Sequence, residues 1–280
     1  MKRQLVGLLA AFLFISCSKF QKVMKLTDFK AKYQAANQYY DKGDYYRANI
    51  VYMDLVSISL GRPEAEMLQF RYAYSYFHLK QYQMSAHYFK QFYDTYGRST
   101  LAEEALYRYA HSLFMDTPDY FLDQSGTNNA IAALQDFLNK YPKSQYATEA
   151  IKQMSILRQR LEKKAYENAK QYQKLGYFKS AVIAYDNFLK DYPDSQYKEE
   201  IAFLRIESSY ELAKMSIESL KTERYTKTIN LYLDYIDKFP ASKRLKEAEK
   251  IYSYAQKELK EAQDLFKHSQ TTSNVNYQKS

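Results

Sequence analysis

The sequence predicts an all-α fold, a solenoid of about five helical hairpins followed by a long C-terminal capping helix. Three observations lead to this prediction. The 280 residues include only six glycines and five prolines, and so few breakers favour helices joined by short turns. Hydrophobic residues make up 46% of the chain, and 31 residues are tyrosines, which is enough apolar surface to build a core. An eight-residue segment also recurs along the chain, which indicates a repeat architecture.

The first 16 residues have the pattern of a secretory signal peptide. Lys2 and Arg3 form its charged start, and the apolar stretch 5–15 is too short to span a bilayer as a helix. Cys17, the single cysteine of the chain, follows the sequence Leu-Phe-Ile-Ser. This arrangement resembles a bacterial lipobox, and the alternative is a stray cysteine beside an ordinary cleavage site.

The lipobox resemblance implies cleavage before Cys17 and acylation of that residue. Several acyl chains on one residue would anchor the protein firmly, because each buried CH₂ contributes about 0.8 kcal/mol. Ser18, where an aspartate would retain a lipoprotein in the inner membrane, implies sorting to the outer membrane. Residues 17–30 are expected to form a lipidated linker.

The repeated segment is FLNKYPKS at 137–144. It returns as FLKDYPDS at 188–195 and YIDKFPAS at 235–242, and FYDTYGRS at 92–99 is a weaker copy. Proline has a fixed φ and no N–H, and it moves the preceding residue out of helical conformation. We therefore predict that each segment ends one helix at the aromatic residue before proline, and that its serine caps the next helix.

The aromatic residues expected at these helix ends are Tyr141, Tyr192 and Phe239. In the weaker copy, Gly97 takes the place of proline and is expected to stop the helix. Thr100 and Glu103, which follow, have the spacing of a capping box.

A small residue precedes each of the four repeated segments by seven positions, larger apolar residues flank it at helical spacing, and a fifth copy of this flanking pattern fits upstream around Ala48. These small residues are Ala48, Ser85, Ala130, Ala181 and Thr228. A second column of small residues contains Ala36, Ala73 and Ala110, so each unit is a pair of helices that approach closely. Such pairs resemble tetratricopeptide repeats, although their spacing here is wider than the usual 34 residues. Residues 115–129 are expected to form an inserted loop in the third unit.

The solenoid is expected to cover residues 31–267. Its last helix, 243–267, carries apolar residues at alternating steps of three and four and is expected to close the stack. Its outer face is a candidate for partner docking, since basic residues crowd its beginning. The docking candidates are Lys243, Arg244, Lys246 and Lys250. Residues 268–280 are polar and lack periodicity, which predicts a disordered tail.

The lipobox, the repeated Tyr-Pro-x-Ser turns and the basic final helix together resemble the BamD family of lipoproteins in the outer-membrane β-barrel assembly machinery. The resemblance implies a lipid-anchored scaffold on the periplasmic face of the outer membrane. It also implies three kinds of partner: the periplasmic domains of the barrel-forming assembly protein, other assembly lipoproteins, and unfolded outer-membrane protein precursors.

The first helix of each unit is expected to line a groove for an extended precursor peptide. Exposed tyrosines there would suit a peptide that ends in an aromatic residue, and an arginine would meet its carboxylate. The groove candidates are Tyr33, Asn37, Tyr40, Phe70, Arg71, Tyr74, Phe77, Tyr107, Arg108 and His111. The alternative for each candidate is packing against the neighbouring unit.

Other functions stay open at this point. A scaffold for envelope constriction or peptidoglycan synthesis, similar to the CpoB proteins, carries the same turns, and so do lipoproteins of pilus or secretin assembly. A glycan-binding protein would use tryptophan, which the chain lacks. No phosphate-binding loop, nucleophile elbow or metal-ligand spacing occurs. The sequence therefore predicts no enzymatic activity, no cofactor, no metal and no nucleic-acid partner.

Overall fold

The structure is a computed structural model that describes the backbone of residues 19–277 and the side chains up to Leu265. Within that range the chain forms helices and no strand, which confirms the all-α prediction. A short helical segment, 19–24, precedes eleven longer helices. These are α1 (Phe29–Asp41), α2 (Tyr45–Ser59), α3 (Ala65–His78), α4 (Tyr82–Thr95), α5 (Ala102–Met115), α6 (Ser125–Lys140), α7 (Ala147–Lys174), α8 (Phe178–Asp191), α9 (Lys198–Lys214), α10 (Glu218–Lys238) and α11 (Leu245–Tyr277).

The chain divides into two compact units, one up to Gln159 and one from Arg160. In the first unit, α1 to α6 pack against each other in chain order, and the beginning of α7 covers α5 and α6. In the second unit, the rest of α7 packs on α8, and α8 to α11 follow in chain order. Short connections between consecutive packed helices make each unit a series of helical hairpins.

The small residues predicted at the helix crossings are all buried. Ala130 and Ala181 are fully inaccessible, and the polar members have partners that keep them satisfied. Ser85 Oγ lies 3.0 Å from Ser112 Oγ, and Thr228 Oγ1 lies 2.9 Å from the Ser209 hydroxyl. Large rings such as Phe137 fill the space around these positions. The repeated small residues therefore mark the positions at which two helix backbones approach each other.

The predicted helix ends are confirmed. Tyr141, Tyr192 and Phe239 are the C-cap residues of α6, α8 and α10. Each ring stays packed on the aromatic residue four positions earlier, with centroids 5.1 to 5.9 Å apart. Where Gly97 replaces proline, α4 ends at Thr95 in the same manner.

The serine of each repeated segment joins one hairpin to the preceding one. Ser144 Oγ accepts the N–H of Tyr146 at 3.0 Å and donates to a carboxylate oxygen of Glu103 at 2.6 Å. The same arrangement occurs four times, and we call these pairs the serine staples. They are Ser99–Glu66, Ser144–Glu103, Ser195–Glu162 and Ser242–Glu199. The serine thus accepts a backbone N–H as predicted, but in the turn before the helix rather than at its N-cap.

The capping box predicted for Thr100 and Glu103 is wrong. Helix α5 has Leu101 at its N-cap and no side-chain hydrogen bond there. Ser99 Oγ accepts the Leu101 N–H at 2.9 Å, and the Glu103 carboxylate receives the Ser144 hydroxyl instead. A contact between units therefore replaces the local cap.

The loop 116–124 between α5 and α6 is the insertion predicted for the third unit. Gln124 is buried beneath it. The Gln124 side-chain amide donates to the carbonyls of Asp119 at 2.8 Å and Leu122 at 3.1 Å, and its oxygen accepts from Thr127 Oγ1 at 2.8 Å. The loop is therefore organised around one side chain, while Phe121 at its tip is 65% exposed.

Helix α11 closes the second unit. Ala248, Ala255 and Ala262 are buried, and the helix packs on α10 and α9, as the seam in the sequence predicts. The helix ends at Tyr277, beyond the end predicted at Lys267, because no proline or glycine interrupts the intervening turns. Among the described residues, no helix combines the length and the apolarity needed to cross a bilayer.

Candidate functional site

The first helices of the three hairpins in the first unit, α1, α3 and α5, carry the predicted groove residues. Ala36, Ala73 and Ala110 are fully buried on these helices, so the residues beside them turn toward a shared outer surface. We call this surface the A-helix face. Its residues are Tyr33, Asn37, Tyr40, Arg71, Tyr74, His78, Arg108 and His111.

Arg71 of α3 connects with α1. Its Nη1 donates to Asp41 Oδ1 at 2.9 Å and to Asn37 Oδ1 at 3.2 Å. Its guanidinium also lies 5.0 Å from the ring centre of Tyr40, where a cation is attracted by the electron-rich ring face. The side chain of Arg71 keeps 28% of its surface exposed and that of Asp41 keeps 61%. This cation is therefore fixed in place yet open to solvent.

Arg108 holds the corresponding position one hairpin later, on α5. Its guanidinium lies 5.3 to 5.8 Å from the ring centres of Tyr74, Tyr107 and Tyr146. Its Nε is 3.4 Å from Glu104 Oε1, and the Tyr74 hydroxyl donates to the same carboxylate. Arg71 and Arg108 thus form two similar sites, each with a tyrosine ring and one carboxylate.

Two histidines lie on the same helices, His78 at the end of α3 and His111 four residues before the end of α5. His78 stacks on Tyr45 with centroids 3.9 Å apart, and partial burial together with Arg108 lowers its pKa. His111 Nδ1 lies 2.9 Å from the side-chain amide nitrogen of Gln153, which donates to it. Burial lowers the pKa of His111 below its ordinary value. Both histidines are therefore neutral at physiological pH.

The hydroxyls of Tyr40 and Tyr74 remain protonated. Burial, with Tyr45 as the next cause, raises the pKa of Tyr40 to about 12. Burial and the hydrogen bond to Glu104 raise the pKa of Tyr74. These hydroxyls can therefore donate hydrogen bonds without bringing negative charge to the face.

Two groove candidates belong to the core instead. Phe70 packs with Phe89 and Phe92 and is 7% exposed, and Tyr107 packs with Phe137 and is 4% exposed. Both lie on helices that have a neighbour on each side, so the apolar stripe is wider than one contact face. Phe77 is half-buried against the ring of His111, with centroids 5.3 Å apart.

Sequence reasoning missed the groups that hold the two arginines. Asp41 comes from the preceding hairpin and carries no local signal. Glu104 lies four residues before Arg108, which is the spacing of an ion pair on one helix face and was a usable signal. Gln153 of α7, which contacts His111 and the Tyr107 hydroxyl, comes from more than 40 positions away.

The docking candidates lie around the beginning of α11 in the second unit. Lys243, Lys246 and Lys250 are exposed. Arg244 instead covers the ring of Phe203 at 5.0 Å and lies 4.0 Å from Glu200, so it is partly used in packing. Lys250 also borders a cleft of about 390 Å³ lined by Glu207, Glu247 and Tyr254 among others.

The described residues contain no group of three or more histidine, cysteine, aspartate or glutamate side chains arranged to hold a metal ion. The A-helix face combines two arginines held by neighbouring side chains, uncharged tyrosine hydroxyls and aromatic rings. Such a surface can bind an extended chain that presents apolar side chains and a carboxylate.

A family model described as an outer membrane lipoprotein, YfiO, matches residues 27–224, well over half of the chain. The outer membrane protein assembly factor BamD of Caulobacter vibrioides is 26% identical over 118 residues, which are 42% of this chain and 39% of that relative. The match thus spans about two fifths of the curated relative's length. From the family match, the chain belongs to the YfiO family of outer membrane lipoproteins.

Proposed function

We propose that the protein is a lipid-anchored scaffold of outer-membrane β-barrel assembly, without catalytic activity, on the periplasmic side of the membrane. The A-helix face of the first unit binds unfolded barrel precursors. The second unit, with the lysines at the beginning of α11, binds the periplasmic domains of the barrel-forming assembly protein, alongside other assembly lipoproteins. Membership of the outer membrane lipoprotein family supports the location, and the name of the Caulobacter relative supports the process.

The observation that supports precursor binding is the pair Arg71 and Arg108, each held beside a tyrosine ring and a carboxylate. Arg71 and Arg108 lie in consecutive hairpins of one face, and the guanidinium of Arg108 lies 5.3 Å from the ring centre of Tyr74 on the helix of Arg71. Each guanidinium has five N–H donors in a fixed fork, and one carboxylate leaves several of these donors for a ligand. A peptide carboxylate at one arginine would place the preceding side chains over the rings of Tyr40 and Tyr74.

Binding of a peptide with an aromatic C-terminal residue tests this assignment. The triple variant Tyr33→Ala, Tyr40→Ala, Tyr74→Ala is expected to lose most crosslinking to a photoreactive peptide from the end of a barrel precursor. The matched control removes three exposed tyrosines elsewhere, Tyr46, Tyr172 and Tyr177. Equal crosslinking by the two triple variants would remove the A-helix face from consideration.

A second variant distinguishes recognition of the peptide carboxylate from non-specific apolar binding. Asp41→Asn frees the guanidinium of Arg71 from its carboxylate partner, so the affinity for a peptide with a free C-terminus should rise by about fivefold, an energy of about 1 kcal/mol. The same peptide with an amidated C-terminus should show no gain. Equal gains in affinity for both peptides would show that Arg71 does not bind the C-terminal carboxylate.

The lipid anchor at Cys17 lies outside the described residues and rests on the lipobox. Cys17→Ala is expected to move the protein from the membrane fraction to the soluble periplasmic fraction. Membrane retention equal to that of the parent would contradict the anchor.

Affinity purification from membranes tests the partners. Co-purification with a barrel-forming assembly protein is expected, and replacing Lys243, Lys246 and Lys250 by glutamate should weaken it. Recovery of constriction or secretin-assembly proteins alone would refute the proposed role.

A further inference from the structure

The segment that follows the proposed anchor is a short amphipathic helix. Within residues 19–24, Phe20, Val23 and Met24 pack on the core formed by α1 and α2. Lys19 and Lys22 point the other way and are exposed, as is Lys25 just after the helix. None of these three lysines has an ion-pair partner among the residues that the structure describes. The outer side of the segment is therefore a row of free cations.

The contacts of this segment fix its direction. The ring of Phe20 lies 5.9 Å from that of Tyr39, near the end of α1, and 5.7 Å from the guanidinium of Arg47 at the beginning of α2. At the other end, the Met24 carbonyl accepts from Lys32 Nζ at 3.1 Å, near the beginning of α1. The segment therefore runs antiparallel to α1. Its N-terminal end lies at the turn between α1 and α2.

The distance from the anchor to this end is short. Lys19 is two residues after Cys17, and two residues of chain span at most about 7 Å. The polar layer on each side of a bilayer is about 5 to 8 Å thick. Acyl chains on Cys17 would thus hold the backbone of Lys19 within or beside the layer of lipid phosphates.

We infer that the α1–α2 turn of the first unit faces the membrane, and that Lys19 and Lys22 bind the phosphate groups of anionic lipids. Lys25 lies about 9 Å further along the segment and adds attraction at a distance of about one Debye length. This inference rests on the proposed lipid anchor. Lys42, exposed at the end of α1, adds a fourth positive charge at the same end. The nearby carboxylates are neutralised, since Asp41 pairs with Arg71 and Asp44 with Arg47.

Acidic residues end the contact at the third hairpin. The connection between α5 and α6 lies at the same edge of the unit, because α1, α3 and α5 run parallel. That connection carries Asp116, Asp119 and Asp123, which anionic lipids repel. The protein therefore has a second, electrostatic hold on the membrane beside the acyl chains, and this hold also orients the A-helix face.

Vesicle binding by a non-lipidated chain tests the inference apart from the anchor. The protein used begins at position 17 with Cys17→Ser and retains every described residue. Sedimentation with vesicles rich in phosphatidylglycerol is expected to capture it, and vesicles of pure phosphatidylcholine are not. The triple variant Lys19→Ala, Lys22→Ala, Lys25→Ala should bind about 100-fold more weakly, from about fivefold per lysine near an anionic surface.

The matched control has the same net charge. It replaces the exposed lysines Lys152, Lys179 and Lys260 by alanine and should keep nearly the parent affinity. Equal losses in both triple variants would mean attraction by net charge alone and would overturn the inference. No binding of the parent chain, or no loss in the first variant, would overturn it as well. The protein in this assay carries no lipid. The vesicle result can therefore be interpreted even if the Cys17→Ala fractionation contradicts the anchor.

Fluorescence quenching by spin-labelled lipids tests the orientation of the first unit on the membrane. A fluorophore on Tyr46→Cys, at the α1–α2 end, should be quenched by lipids that carry a spin label on the headgroup. The same fluorophore on Arg98→Cys, in the turn between α4 and α5 at the opposite edge, should not be quenched. Equal quenching at both sites, or stronger quenching at position 98, would contradict the proposed orientation.

Discussion

The serine staple between Ser144 and Glu103 gives the sharpest test of how the hairpins hold together. Ser144→Ala removes the hydrogen bond that the hydroxyl donates to the carboxylate at 2.6 Å and the one it accepts from the Tyr146 N–H at 3.0 Å. A bond to a charged group is worth about 1.5 to 3 kcal/mol, and a cap-type bond about 1 kcal/mol. Both side chains are partly exposed, so water compensates for part of the loss. We expect a net destabilisation of about 2 kcal/mol.

Thermal unfolding followed by far-ultraviolet circular dichroism measures this loss. For a folded unit of this size, 1 kcal/mol corresponds to about 2 to 4 °C, so Tm should fall by about 4 to 8 °C. Glu103→Ala should give a similar decrease. The double variant should be little worse than either single variant, with a coupling energy of about 1 to 2 kcal/mol.

The control and the refutation are both direct. Ser155→Ala removes an exposed serine from α7, and because alanine favours a helix, this change should not lower Tm. If Ser144→Ala behaves like Ser155→Ala, or if the losses at Ser144 and Glu103 simply add, then the staple contributes nothing and the hairpins are joined by apolar packing alone.

Three further outcomes follow from burial, backbone conformation and charge. Phe137 is fully buried, so Phe137→Ala should lower the free energy of unfolding by about 3 to 5 kcal/mol in urea titrations, whereas Phe121→Ala at the exposed loop tip should change it by less than about 0.5 kcal/mol. Gly176 has φ of +76° with open space around its Cα, so Gly176→Ala should cost about 1 kcal/mol of backbone strain, and an unchanged denaturation midpoint would contradict this. Because burial lowers the pKa of His111 in the folded protein, the unfolded chain binds the proton more readily. The stability from this group is thus present above pH of about 6.5 and falls as the pH drops below it; an NMR titration that places the His111 pKa at or above 6.5 would refute the assignment.

Features governed by neighbours in the chain could be predicted from the sequence. Proline after Tyr141 ends α6 because the constraint acts on the adjacent residue. The small residues could be located because packing two helices repeats a fixed helical spacing. Arg71 and Arg108 were found for the same reason, since each lies two residues before the small alanine of its helix.

Features that depend on contacts between hairpins could not be predicted. The serine of each turn pairs with a glutamate 33 to 43 positions earlier, and no local pattern indicates that partner. Phe70 and Tyr107 share the helical stripe of Tyr74, yet they are buried because a helix between two neighbours is covered on two sides. The periodicity gives the stripe, while its division into core and surface depends on the stack.

The buried amide of Gln124 has a consequence for how such a chain can diverge. The extra residues between α5 and α6 fold onto a side chain of their own, and the helices on either side keep their contacts. A repeat can thus accept new length at a bend without any adjustment by its neighbours. Changes in the length of this loop can therefore alter the surface of the protein while the packing of the core stays the same.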